Sequence, residues 1–179
     1  MRLLYRARQF WLALGAQPGS DDLELATSLL TPSQMALFRG MQPGEQAHAL
    51  KVLHRLLEQG EVHPDLLAAA LLHDCGKQLS PLNPLERAWI VLAQKLFPAR
   101  AAYWGRVEKE ALAGLAGWRR PLAVAEQHPA WGAEMAQQAG ASPLLQALIR
   151  RHQQPLTNAE DASLEDELIR KLQVVDNES

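Results

Sequence analysis

Histidine and aspartate are the residues of this sequence whose types and spacing suit metal chemistry or proton transfer. Six histidines are spread along it: His48, His54, His63, His73, His128 and His152. The most telling is His73, because Asp74 follows it at the end of the apolar run "DLLAAALLHDCGKQ". Pro64 after His63 suits the first turn of a helix, where its missing N–H has no cost. At helical spacing Leu66, Leu67, Ala70 and Leu71 share one face, and His73 and Asp74 continue the rows of Leu66 and Leu67. An imidazole and a carboxylate thus point inward together. A buried ionised carboxylate needs a cation, a hydrogen-bond network or a metal.

Other inward-facing polar residues recur at the same spacing. His48 continues to Val52 and Leu56, at the edge of an apolar face. His152 completes the row Leu145, Leu148, Ile149, and Asp176 completes Ile169 and Leu172. His128, before Pro129, is expected at the N-cap of its helix, projecting into the space the helix points away from. A single histidine on an apolar face is ordinarily a core residue with a hydrogen-bond partner. Repeated on five helical segments that explanation becomes strained, because each buried polar group needs its own partner. A shared metal centre satisfies all of them at once. Imidazole nitrogens with carboxylate oxygens suit Fe, Mn, Zn, Co or Ni better than Ca, and no set of thiolates suggests structural zinc. His54 lies one step off the ligand row and His63 beside a helix-opening proline, so both read as structural or surface residues.

The elements that position these groups read as helices throughout. Ser20-Asp21-Asp22 caps "LELATSLL", and Thr31-Pro32 caps "SQMALFRG". After Pro43-Gly44, "EQAHALKVLHRLLEQ" runs to Gly60, and the Pro64 helix ends near Gly76. "AWGAEMAQQA" follows His128-Pro129, "LLQALIRRH" follows Ser142-Pro143, and Ser163 to Asp166 resembles a capping box for "ELIRKLQVVD". No strand-like alternation, repeat or low-complexity tract is present, so the fold class is all-α. Residues 80–127 are less regular, carry an excess of Lys and Arg over Glu, and read as an insertion.

The totals set bounds. At 179 residues the chain suits one domain with a sizeable core. A formal net charge of −2 gives no reason to expect a stable nucleic-acid complex. Cys75, the single cysteine, excludes an intramolecular disulfide and suits a reducing cytosol, so a cytoplasmic location is expected. No apolar run approaches membrane-spanning length. "MRLLYRARQFWLALGAQ" combines early positive charge with a short apolar stretch, but Arg6, Arg8 and Gln9 interrupt it. It reads as a basic amphipathic helix packed on the domain and not as a targeting segment.

The ordered pattern resembles the HD-domain superfamily of metal-dependent phosphohydrolases, whose order is H…HD…H…H…D on a helical bundle. "QAHALKVLHRL" matches the first-histidine helix at His48, and "LLAAALLHDCGK" the HD signature at His73, Asp74, Gly76 and Lys77. "HPAWGAEMAQQAG" resembles the third-histidine segment of the binuclear branch, which includes the HD-GYP phosphodiesterases. "LIRRHQQP" fits the next histidine at His152, and "LIRKLQVVDNES" the closing aspartate at Asp176. The resemblance covers residues 41–179, with residues 1–40 as an N-terminal helical extension packed on the domain. Gln153 stands where the HD-GYP enzymes have a second histidine, and no GYP follows, so their cyclic-dinucleotide activity is not implied.

What the resemblance implies is a centre of two divalent transition-metal ions, Fe or Mn first, with Zn, Co, Ni or Mg as alternatives. One ion takes His48, His73, Asp74 and Asp176; the other takes His128 and His152, with Asp74 bridging. A metal-activated hydroxide then attacks a phosphate ester or anhydride, and Lys77 meets a phosphate oxygen as a second catalytic residue. A small phosphate compound, a nucleotide above all, is the expected substrate. Bacterial HD proteins that hydrolyse symmetrical dinucleoside tetraphosphates share the ligand set and compact size. Arg151 and the insertion's Arg100, Arg106, Arg119 and Arg120 are weaker candidates for phosphate contact. Two other readings stand beside this one: a mixed-valent di-iron oxygenase built on the same ligands, and a non-catalytic nucleotide-sensing module.

Overall fold

The computed structural model describes residues 18–155 and 163–178; the basic stretch expected as an N-terminal amphipathic helix lies outside them. Every regular element among the described residues is helical. In chain order these are α1 (Ser20–Leu29), α2 (Pro32–Gly40), α3 (Pro43–Glu58) and α4 (Pro64–Leu72), then a 3-10 turn (Cys75–Leu79). After it come α5 (Pro84–Leu96), α6 (Pro98–Gly105), a second 3-10 turn (Lys109–Gly114), α7 (Arg120–Gln138), α8 (Pro143–Arg151) and α9 (Leu164–Glu178). Helices α2 to α8 each carry proline in the first turn, where its fixed φ favours the helix and its missing N–H is not needed. Thr31, Asn83 and Ser142 accept from the backbone N–H three residues on, capping α2, α5 and α8.

Helix α4 is the axis of the bundle. Leu66 to Leu72 are all buried, as expected for a helix apolar on every side. Helices α1, α2, α3, α8 and α9 pack around it. Ala26, Leu30, Met35 and Phe38, from the segment expected as an extension, join this main core. Residues 80–127, expected as an insertion, contribute to two smaller apolar clusters, one of Leu82, Ala123 and Val124 with Trp131 from beyond that stretch, the other of Ala93, Ala101 and Leu122.

Two expected boundaries are corrected. Helix α7 starts at Arg120, so His128 is not an N-cap but lies inside a helix, with Pro129 interior as well. The last residues of the stretch expected as an insertion are therefore the first two turns of the helix that carries His128. Helix α4 stops at Leu72 and does not run to Gly76; His73 caps it, and Asp74 turns the chain into the 3-10 segment.

The sharp turn after Asp74 depends on close backbone approach. A Cβ on Gly76 would overlap the His128 carbonyl oxygen and come within 2.7 Å of the Gly132 nitrogen. A Cβ on Gly132 would be crowded without overlapping, at 3.2–3.3 Å from Gly76, Ile149 and Cys75. Gly76 thus lets the segment after Asp74 lie directly on the backbone of α7. Gly76→Ala is expected to lower stability by ~3 kcal/mol, the upper range for overpacking against atoms that cannot move. Gly132→Ala should lower it by less. Urea unfolding of both variants checks this, and equal midpoints would contradict it.

Candidate metal centre

Three buried histidines are oriented by the backbone carbonyls of their own helices. His73 Nδ1 lies 3.0 Å from the Ala70 oxygen and His152 Nδ1 2.7 Å from the Ile149 oxygen. Both carbonyls belong to the last turn of a helix, where no further N–H arrives to take them. His128 has no helix end to use, and Pro129 supplies the equivalent. Lacking an N–H, Pro129 leaves the Ala125 carbonyl without its helical donor. His128 Nδ1 lies 3.1 Å from that oxygen and 2.9 Å from the Val124 oxygen. A carbonyl only accepts, so Nδ1 carries the proton in all three rings. Each Nε2 is left to face the interior.

Those Nε2 atoms converge on one carboxylate. Asp74 Oδ1 lies 3.2 Å from His128 Nε2 and 3.9 Å from His152 Nε2, while Oδ2 lies 3.6 Å from His73 Nε2. The two histidines of the Oδ1 side stand 3.4 Å apart. On the other side Asp176 Oδ1 approaches His48 Nε2 at 2.8 Å and His73 Nε2 at 3.5 Å. His48, His73 and Asp74 form one group, and Asp74, His128 and His152 another, each offering three ligand atoms within 4.8 Å of one another. All six expected ligands are therefore brought together, from α3, the end of α4, α7, the end of α8 and α9. His73, Asp74, His128 and His152 are buried; His48 and Asp176 remain 28% and 22% exposed and form the open side.

The donor chemistry fits a cation. Atoms that share a tetrahedral ion at ~2.1 Å stand ~3.4 Å from one another, close to the separations above. His73 Nε2 is buried and makes no hydrogen bond, which is costly for a polar atom unless something else fills its role. Left to protons alone, the cluster has to charge. Burial opposes a charge on His73, but Asp74 and Asp176 outweigh it and push the imidazole up to about 9. Burial, then the neighbouring His73 and His128, pushes His152 down to about 3. Burial also opposes ionisation of Asp74, yet Lys77 and His73 hold its carboxyl well below the usual carboxylate range. His48 and His73 do the same for Asp176 against its own burial. Burial pushes the Cys75 thiol up to about 12; its Sγ lies 3.6 Å from the Gly132 oxygen, and it stays a neutral core group.

The cationic candidates separate clearly. Lys77 Nζ donates to Asp74 Oδ2 at 2.6 Å and so belongs to the site. Arg151 instead bonds Glu165 and Asp166, at 2.8 Å to the latter, fastening the start of α9. Arg119 donates to the Trp104 carbonyl, and Arg120 bonds Ser80 and Glu86. Arg106 lies 4.0 Å from Glu126. Trp104 and Trp118 pack edge to face on each other, ring centres 5.1 Å apart. His54 Nε2 lies 2.8 Å from Asp22 at the surface, and His63 is the residue before α4; neither approaches the cluster.

Two charged residues near the site escaped the sequence reading. Glu45 is a buried carboxylate one turn before His48, and Arg87, from α5, lies 2.5 Å from its Oε1. The i, i+3 step from Glu45 to His48 on one helix was the available signal for the first. Nothing local in the sequence points to the second.

The family model of the HD domain matches residues 46–178. The chain belongs to the HD-domain family. HD domains are typically metal-dependent hydrolases, and the match runs from two residues before His48 to two beyond Asp176. Comparison with curated proteins and with solved structures finds no match. Among the described residues of this HD domain no helix is long and apolar enough to cross a membrane.

The two shifted histidines give the metal-free HD domain a defined pH response. His73 is raised from 6.5 to about 9, so its contribution is complete below pH 6.5 and is lost as pH rises through 9. His152 is lowered to about 3, so stability also declines as pH falls below 6.5. The melting temperature of chelator-treated protein should peak near pH 6.5 and fall toward pH 9, and His73→Gln should flatten the alkaline limb. An unchanged alkaline limb in that variant would contradict the assignment.

Proposed function

We propose that this HD domain is a metal-dependent phosphohydrolase that cleaves a phosphate ester or anhydride of a nucleotide. The observation that carries the reading is the shared carboxylate: Asp74 turns Oδ2 toward His73 and Oδ1 toward His128 and His152. In this reading His48, His73, Asp74 and Asp176 hold one divalent ion, and Asp74, His128 and His152 hold a second. Such a pair of ions, Mn or Fe foremost, lowers the pKa of a water and neutralises charge on a transferring phosphoryl group.

The chain's own residues supply the rest. Burial of His73, Asp74, His128 and His152 keeps competing water from the closed side of the site. The Nδ1–H bonds to Ala70, Val124 and Ile149 hold each ring in place, so little reorganisation is needed when charge moves. His48 and Asp176 line the open side, and that is where a phosphate compound enters. Lys77 Nζ, whose side chain is 22% exposed, is the cation nearest Asp74 that can turn toward a non-bridging phosphate oxygen. The substrate is a small molecule, and the protein works in the cytoplasm.

Phosphate release from a panel of nucleotides and a generic aryl phosphodiester, with Mn and under nitrogen, tests the proposal. Turnover is expected without oxygen. Asp74→Ala should reduce it ~1000-fold or more, a loss of ~4 kcal/mol of transition-state stabilisation. His128→Ala should remove one of two bound ions and leave the fold intact, whereas His54→Ala should alter neither metal content nor rate. Turnover that requires both Fe and O2 would replace this reading with an oxygenase, and nucleotide binding without cleavage would replace it with a sensor.

A further inference from the structure

Glu45 is a buried carboxylate that the six candidate ligands leave without a role. Its Oε2 stands 3.5 Å from Lys77 Nζ and its Oε1 2.5 Å from Arg87 Nη2. Arg87 Nη2 also donates to Gln42 Oε1 at 2.9 Å, so the same nitrogen is held by Gln42 and Glu45 together. Lys77 sits between two carboxylates and favours Asp74, whose Oδ2 it approaches at 2.6 Å. That oxygen is also the one turned toward His73. A cation shared with His73 and an ammonium on the same oxygen would repel strongly in so buried a place. One of them has to move.

Lys77 is the group able to do so. Its four-carbon stem is flexible and its ammonium makes undirected contacts, and Glu45 already lies within reach. Arg87 is always charged and holds the Glu45 carboxylate through Oε1, leaving Oε2 for Lys77. We infer that Glu45 is a positioning residue that receives Lys77 when a metal ion takes Asp74 Oδ2. This rests on the reading in which Asp74 is a metal ligand. Glu45 touches neither metal nor substrate; it acts by giving Lys77 a second carboxylate. Lys77 thereby serves as the countercharge of Asp74 in the metal-free protein and stays beside the site once metal is bound.

The test is a double-mutant cycle read by zinc affinity, with Zn2+ alone as the probe and a chromophoric chelator as competitor. Its members are the unaltered protein, Glu45→Gln, Lys77→Met and the double variant. Glu45→Gln should weaken one zinc-binding step about tenfold, the scale of coupling between contacting charged groups. In the Lys77→Met background the same change should have less than about a twofold effect, because no ammonium remains to be moved. A Glu45 that merely supports the fold would weaken zinc binding equally in both backgrounds, and that result overturns the inference alone. An unaltered, folded protein that binds no zinc overturns the metal-centre reading and the inference together. If the unpaired Arg87 unfolds Glu45→Gln, as circular dichroism would reveal, the cycle is repeated in an Arg87→Met background with the same expected coupling.

Discussion

The structure turns on a single buried carboxylate. Asp74 lies at the point where α4 ends, and its two oxygens face different groups of histidines. A charge in that position is tolerable only when it is neutralised and hydrogen-bonded from several sides. Helices α3, α7, α8 and α9 must therefore all present their polar groups at one place, around the apolar axis of α4. In the metal-free state the countercharges are Lys77 and the raised His73. These are the charges that a cation would replace under the proposed function, which would tie folding electrostatics and metal affinity to the same few atoms.

The three buried histidines are aimed by imperfections in the helices rather than by other side chains. His73 and His152 use carbonyls in the final turns of α4 and α8, and His128 uses one freed by Pro129 in the middle of α7. Each contact satisfies a carbonyl that the helix leaves open and fixes the ring at the same time. Gly76 completes the arrangement. Without a side chain it lets the turn after Asp74 rest on the backbone of α7 at His128 and Gly132, which brings Asp74 Oδ1 within 3.2 Å of His128.

Much of this is legible in the sequence because local signals and tertiary demands agree. Prolines and caps mark most helix starts, and the 3.6-residue period carries His48, His152 and Asp176 onto inner faces. The misreading at His128 has a physical origin. His-Pro looks like a helix entry, and an interior proline is disfavoured unless the freed carbonyl finds a donor; here the preceding histidine is that donor. The early end of α4 is invisible for a similar reason, since the contact that bends the chain at Gly76 is made with residues far along the sequence. Long-range ion pairs are hidden altogether. The basic excess of the insertion suggested phosphate contacts, but Arg87, Arg119 and Arg120 meet Glu45, the Trp104 carbonyl, and Ser80 with Glu86. Arginine's permanent charge and forked donors suit it to such structural pairing as well as to anions, and sequence alone does not distinguish the two.

The central claim of the proposed function is that Asp74 would be shared by two cations. Anomalous diffraction from crystals of the manganese- or zinc-loaded protein addresses it directly. The account predicts two anomalous peaks flanking Asp74, one also bonded to His48, His73 and Asp176 and the other to His128 and His152. A folded, metal-treated protein with no peak bonded to Asp74 would contradict it.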